Sequence, residues 1–249
     1  MSLTVPDFSA VGILVAGDVM LDEYWFGPTS RISPEAPVPV VQVTRTQSRA
    51  GGAANVAVNL ASLGARAVIT GIVGRDARGQ ALGHLLRGQG IGVDFLESPA
   101  SPTITKLRVL SRNQQLIRLD TEDHFGPGDR AAFPGQVERH LANARVCILS
   151  DYGKGTLGAV AELIALCRSR GVPVLVDPKG TDFTRYQGAT LLTPNLAEFE
   201  AVVGPVADDG ELVARGQALL ADLDLDALVV TLGERGMAVL AAGEEPVFL

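Results

Sequence analysis

Residues 49–64 read Arg-Ala-Gly-Gly-Ala-Ala-Asn-Val-Ala-Val-Asn-Leu-Ala-Ser-Leu-Gly, two adjacent glycines opening an almost wholly apolar helix. The polar side chains inside the helix, Asn55, Asn59 and Ser62, are spaced by four and then three residues and share one helical stripe. Asn55 falls in the first turn, beside the backbone N–H groups of Gly51 and Gly52. A side-chain amide offers both a donor and an acceptor, and glycines let a ligand approach the main chain. That combination suits a polyhydroxy ligand. It equally describes a tight turn feeding a buried helix with Asn55 as its cap, and the segment alone leaves both readings open.

Other clusters carry similar chemistry. Gly17-Asp18-Val19-Met20-Leu21-Asp22 follows the first apolar run, and a carboxylate a few residues past a strand end can accept hydrogen bonds from sugar hydroxyls, or the two can be surface or capping aspartates. Asp151-Tyr152-Gly153-Lys154-Gly155 and Asp177-Pro178-Lys179-Gly180 each pair an acid with a lysine on a glycine-bearing loop. Those lysines either face an anionic substrate group or a nucleotide phosphate, or carry solvated loop charge. Asn195-Leu196-Ala197-Glu198 has capping-box spacing. The same pair can present oxygens to a hydrated Mg²⁺ and to nucleotide phosphates, Glu198 acting on the metal through water. Thr231-Leu232-Gly233-Glu234-Arg235-Gly236 is a hairpin turn whose glycines can also hold a phosphate on backbone N–H groups. The dinucleotide fingerprint G-x-G-x-x-G is absent after the first strand, which argues against a nicotinamide enzyme.

The elements that must position these groups follow from hydrophobic pattern. Runs at 11–17, 67–73, 146–150, 173–177, 190–193 and 227–232 read as buried strands. Segments 52–63, 77–89, 129–143, 157–170, 196–203 and 211–222 read as the helices between them. The alternation predicts an α/β fold, a mostly parallel sheet flanked by helices on both faces. Ligands of such sheets bind beyond the carboxyl ends of the strands. Asp18, Ser150, Asp151, Asp177, Asn195 and Thr231 all fall at or just after a strand end, so one edge is expected to carry a site. Segment 37–44 alternates and contains prolines, as an edge strand does. Segment 103–120 reads as two strands joined near Arg112-Asn113-Gln114. Together they predict a small β-lobe that is a lid, a dimer surface, or both.

Composition narrows the classes. The 249 residues are 47% apolar, enough for a substantial core. A net charge of −7 without a long basic run argues against nucleic acid. Cys147 and Cys167 lie in apolar segments and read as reduced core residues of a cytoplasmic protein. Three scattered histidines do not make a zinc site. No apolar run reaches the roughly 18 residues of a membrane span, and the first residues lack a signal-peptide core.

The set resembles the carbohydrate kinases of the ribokinase (PfkB) group: Gly51-Gly52-Ala53-Ala54-Asn55, the Asp22 position, Asn195-x-x-Glu198 and Thr231-x-Gly233-x-x-Gly236. Longer runs, residues 28–41 and 103–116, Ser150-Asp151-Tyr152-x-Lys154-Gly155 and Asp177-Pro178-Lys179-Gly180-Thr181-Asp182-Phe183, resemble the kinase module of the bacterial bifunctional heptose-7-phosphate kinase/heptose-1-phosphate adenylyltransferases. The resemblance covers essentially the whole chain. It implies a ribokinase-like domain over 1–249 with β-lid segments at about 28–48 and 101–122. It also implies ATP- and Mg²⁺-dependent phosphorylation of D-glycero-β-D-manno-heptose 7-phosphate at the anomeric hydroxyl, a step toward ADP-heptose and the lipopolysaccharide core. Asp22, Gly51, Gly52 and Asn55 would then hold sugar hydroxyls. Asn195, Leu196, Ala197 and Glu198, with Lys179, Thr231, Gly233 and Gly236, would serve Mg–ATP. The lid would clasp a homodimer. For the 7-phosphate, charge and position nominate Lys106, Arg108, Arg112 and Lys154.

One departure stands out. Family members carry a later Asp-x-x-Gly-Ala-Gly-Asp segment that supplies the general base and phosphoryl-stabilising N–H groups, and none occurs in these 249 residues. Gly126-Pro127-Gly128-Asp129 is not expected to replace it, and no His-x-x-His nucleotidyl motif marks an adenylyltransferase half. Relative to the family the chain reads as C-terminally truncated within a strand at 246–249. An exposed apolar sheet face and little turnover are the expected consequences.

Overall fold

The structure is a computed structural model that describes residues 6–112 and 114–249. Near-continuous apolar runs form strands buried on both faces, which is the sequence pattern of a parallel sheet. Among the described residues, seven such strands run parallel: β1 (Gly12–Gly17), β6 (Arg66–Gly74), β7 (Gly92–Ser98), β10 (Val146–Ser150), β11 (Val174–Asp177), β12 (Leu191–Leu192) and β13 (Ala227–Thr231). β14 (Met237–Ala241) and β15 (Val247–Phe248) extend the sheet antiparallel, giving the order β15-β14-β13-β12-β11-β10-β1-β6-β7.

Side chains alternate between two cores, as the period of two requires. On one face Leu14, Cys147, Leu149, Val174 and Val176 pack with α4 (Phe133–Leu141), α5 (Val160–Ser169) and α7 (Asp209–Leu223). Ile13, Val15 and Ile69 pack on the other with α1 (Ala53–Ser62) and α2 (Ala77–Arg87). Segment 129–143 is not one helix. It divides into α3 (Pro127–Arg130) and α4, and Pro134 sits in the first turn of α4, where its missing N–H costs nothing. Asp129 of the glycine-rich run accepts from the Gly126 N–H at 3.0 Å and from the Ser98 hydroxyl, so its carboxylate is engaged structurally.

A second sheet, ordered β5-β2-β8-β9, stands beside the first. It consists of β2 (Val19–Phe26), β5 (Arg45–Gly52), β8 (Thr105–Ser111) and β9 (Gln114–Thr121), while β3 (Thr29–Ile32) and β4 (Pro39–Val41) pair separately. The hairpin expected over 103–120 is β8–β9; Asn113 of its turn lies outside the described residues. Strands β2 and β5 carry no clear alternation in sequence because their residues are mixed polar and apolar on both faces. Asp22 lies inside β2, a central strand of the second sheet. Only Asp18 separates β1 from β2, so the chain leaves the core sheet and enters the lid within one residue.

Candidate active site

Asp18 occupies the junction of the two sheets and is fully buried. Its carboxylate accepts backbone N–H groups from Tyr152 at 2.9 Å, Lys154 at 3.0 Å and Thr156 at 3.1 Å. Its carbonyl accepts from Ala53 at 3.0 Å, and its own N–H donates to Ser150. One residue therefore fixes both the loop after β10 and the start of α1. Gly52 turns into that helix at φ 57°, ψ −137°, and a Cβ there would lie 2.4 Å from the Asp18 carbonyl oxygen, so both conformation and space require glycine. Gly52 is the N-cap residue and no side chain caps α1. The capping reading of Asn55 is thereby overturned: its amide lies exposed in the first turn beside Gly51. Asn59 and Ser62 are exposed on the same stripe, with Ser62 donating back to the Val58 carbonyl.

Asp22 faces the same side of the lid sheet as Arg49 and Lys106, its register partners on β5 and β8. Arg108 donates to Asp22 at 2.6 Å. Arg49 was not singled out by sequence reasoning, because an isolated arginine before a Gly-Gly pair carries no pattern of its own. The structure sets its guanidinium 4.8 Å from the Tyr24 ring centroid, with Arg108 at 5.2 Å from the same ring. Such stacking holds two cations close on one face. The other nominated cations diverge. Lys154 Nζ is paired with Glu122 at 2.7 Å, and Arg112 lies at the far hairpin tip with φ 47°.

The second half of the site lies over β11–β13. Asn195 caps α6 (Leu196–Val203): the Glu198 N–H donates to Asn195 Oδ1 at 2.9 Å, and the Asn195 N–H donates to Glu198 Oε2 at 3.2 Å. The capping box is thus formed, with Leu196 and Ala197 as the first two helical residues. Glu198 Oε1 still reaches out to Lys179 Nζ at 2.9 Å. Thr231 bridges Asn195 across the strand ends, and Gly233 and Gly236 frame a short 3₁₀ turn between β13 and β14. The sequence's hairpin reading holds there.

Asp177, on the Ser150 side of the same edge, has its carboxyl pushed up to about 6. Burial is the main cause and the nearby Glu198 charge the next, opposed by the Ser150 hydroxyl and by Lys179. The unfolded carboxyl titrates near 3.8, so between that value and about 6 the folded chain binds the extra proton and stability falls as pH rises. Asp177→Asn in metal-free buffer is expected to raise Tm at pH 8, with the gain shrinking toward pH 4; a gain independent of pH would contradict this. Asp177 and Glu198, with the Ser150 hydroxyl beside the first and the Asn195 amide beside the second, are a hard-oxygen set whose repulsion Lys179 only partly offsets. That chemistry fits a hydrated Mg²⁺ held partly by nucleotide phosphates.

Below this edge, Leu175, Leu191, Val229 and Val239 on the α1 side of the sheet are half-buried and belong to neither core. Met237 and Val247 lie on the same side and are exposed. The expected open apolar face is present among the described residues. No helix among them is long and apolar enough to cross a membrane.

Comparison with known proteins gives three consistent results. The profile of the family described as pfkB family carbohydrate kinase matches residues 11–248. The chain is 55% identical over 249 residues to proteins named bifunctional protein HldE from Escherichia fergusonii and Klebsiella pneumoniae (strain 342). These alignments take in 100% of this chain and 52% of each relative, so the chain spans about half the length of those curated relatives. Among solved structures, phosphofructokinase-2 from Escherichia coli in complex with fructose-6-phosphate superposes with TM-score 0.78 at 22% identity, over 96% of this chain and 79% of that one. Arabidopsis thaliana ribokinase complexed with ribose and ATP gives TM-score 0.72 at 21% identity, over 96% and 77%. These two establish a ribokinase-like fold.

Proposed function

Because the chain belongs to the pfkB carbohydrate kinase family, we propose that it is the kinase module of an enzyme transferring the ATP γ-phosphoryl group to the anomeric hydroxyl of D-glycero-β-D-manno-heptose 7-phosphate. The observation that carries the reading is the pairing of two half-sites across one sheet edge. A hydroxyl-binding half (Asp22, the Gly51–Gly52 main chain and the open Asn55 amide) stands beside a phosphate-binding half (Lys179, Asn195, Glu198 and the Thr231–Gly236 turn). Asp18 ties the sugar-side helix α1 to the loop after β10. Asp22 accepts from sugar hydroxyls and orients the ring, while Asn55 donates and accepts at a neighbouring hydroxyl. Lys179 places a positive charge where the nucleotide phosphates arrive. Glu198 and Asn195, with Asp177, would hold Mg²⁺ through water, and the metal would supply charge neutralisation on the phosphates.

The lid's outer face carries exposed Trp25, Ile117 and Leu119, and fits a homodimer clasp. ADP-heptose synthesis in the cytoplasm, with an adenylyltransferase domain as covalent neighbour in the longer protein, is the setting proposed for this module.

The 7-phosphate separates heptose 7-phosphate from other sugars. Tyr24 already gathers Arg49 and Arg108, so these two, with Lys106, are assigned to that phosphate, and Lys154 joins them on leaving Glu122. Calorimetry with heptose and heptose 7-phosphate tests this. Arg49→Ala and Lys154→Ala are each expected to weaken the phosphorylated sugar about 10- to 100-fold, as loss of a charge-assisted contact does, and to leave heptose unchanged. Equal losses for both sugars would overturn the assignment.

A further inference from the structure

The loop after β10 has two sides. Tyr152, Lys154 and Thr156 direct their N–H groups at Asp18. The alternate residues Gly153, Gly155 and Leu157 line a cleft of about 590 Å³, and Gly153 stands against the Lys179 side chain, where a Cβ would lie 3.8 Å from its Cγ. That volume is within the range of small-ligand sites. None of the residues assigned above to sugar, nucleotide or metal lines it.

Two arginines from different segments converge there. Arg130, at the end of α3, lies flat against Gly158, where any Cβ would meet its guanidinium carbon at 2.5 Å. Among the described residues its guanidinium hydrogen-bonds the Phe125 carbonyl at 3.3 Å. Arg185 donates to the Leu157 carbonyl at 2.8 Å and stands 3.5 Å from Asp151 Oδ2. Asp151 is itself buried and committed, accepting from the Gly153 N–H and the Tyr186 hydroxyl, both at 2.8 Å. It lines the cleft beside Arg185 and holds that guanidinium in place. A guanidinium has five N–H donors, so each arginine keeps a free edge after these bonds. His124 also lines the cleft, and Asp151 and the exposed Glu162 are the opposing charges.

We propose that this cleft is a second anion site, binding the phosphate monoester of a small polar molecule between Arg130 and Arg185. Planar guanidinium forks match phosphate oxygens in paired hydrogen bonds. The volume exceeds that of orthophosphate and leaves room for a sugar or nucleoside behind it. The proposal does not rest on the sugar reading, because none of the residues assigned to the sugar lines the cleft.

The test is calorimetric titration of the 249-residue chain with inorganic phosphate, ribose 5-phosphate and AMP, with chloride at matched ionic strength as control. Saturable phosphate binding is expected in the parent and in Arg49→Ala, which disables the cation cluster assigned to the sugar phosphate. It should weaken at least 10-fold in Arg130→Gln and in Arg130→Gln/Arg185→Gln, and tighten in Glu162→Gln. Arg130→Gln removes a single bond to a carbonyl, so it serves alone if the double variant does not fold. Preference for ribose 5-phosphate or AMP identifies the source as sugar phosphate or nucleotide. Absence of saturation would overturn the proposal, and binding lost in Arg49→Ala but kept in Arg130→Gln would overturn it and place the anion at the Arg49–Arg108 cluster.

Discussion

Asp18→Asn is expected to lower the stability of this chain by about 3 kcal/mol, the scale for breaking a buried, fully paired charged group. For a domain of this size that is a drop in Tm of about 6–12 °C. The substitution keeps volume but replaces one carboxylate oxygen with an amide NH₂. Oδ2 accepts from Tyr152 and Lys154 and Oδ1 from Thr156, so whichever way the amide turns, its NH₂ confronts and orphans at least one of these N–H donors. Because the Asp18 carbonyl also receives the first N–H of α1, disturbance spreads to the Gly51–Asn55 turn. Thermal unfolding and amide exchange together check this. Faster exchange is expected at Tyr152, Lys154 and Thr156 before global unfolding. An unchanged Tm would show that the carboxylate is not the tie between the two sheets.

The second expected result concerns turnover. Assayed alone with ATP, Mg²⁺ and heptose 7-phosphate, the 249 residues should bind both ligands yet release ADP at background. Phosphoryl transfer by a positioned base is accelerated by about 10²–10⁴. Each preorganised N–H donor at the developing charge adds about 10²–10³. The sequence contains no Gly-Ala-Gly-Asp run to supply either, and Asp129 of the nearest look-alike is bound to Ser98 and Gly126. Calorimetry and a coupled ADP assay on one preparation separate binding from chemistry. Robust turnover would mean that a group among these residues serves as base. Binding without transfer would leave the site as described and locate the deficit in catalysis alone.

Much of this was legible in the chain itself. Apolar runs such as 146–150 and 227–232 announced a parallel sheet, since burial on both faces leaves no polar alternation. Asp177, Asn195 and Thr231 marked its working edge because they interrupt that apolarity at strand ends. The capping-box spacing of Asn195 and Glu198 was a local signal and formed as written. The lid strands β2 and β5 were not legible. Residues 19–26 mix charged, aromatic and apolar side chains, and only pairing with β5 and β8 makes a strand of them.

What the sequence determined by itself were the properties set by neighbours along the chain: helices, buried strands, the glycine turn at Gly52 and the choice of residue types at the edge. What the tertiary structure decided were the meetings of residues far apart. Asp18 became a tie for a loop more than 130 positions away. Asn55 lost its capping role because Gly52 and the Asp18 carbonyl open α1 without it. Arg49 and Arg108 became neighbours only through one tyrosine ring on an intervening strand. Local pattern records the short-range preferences of the backbone. The hydrogen-bond and charge partners that give those residues their chemistry are fixed only when the two sheets close against each other.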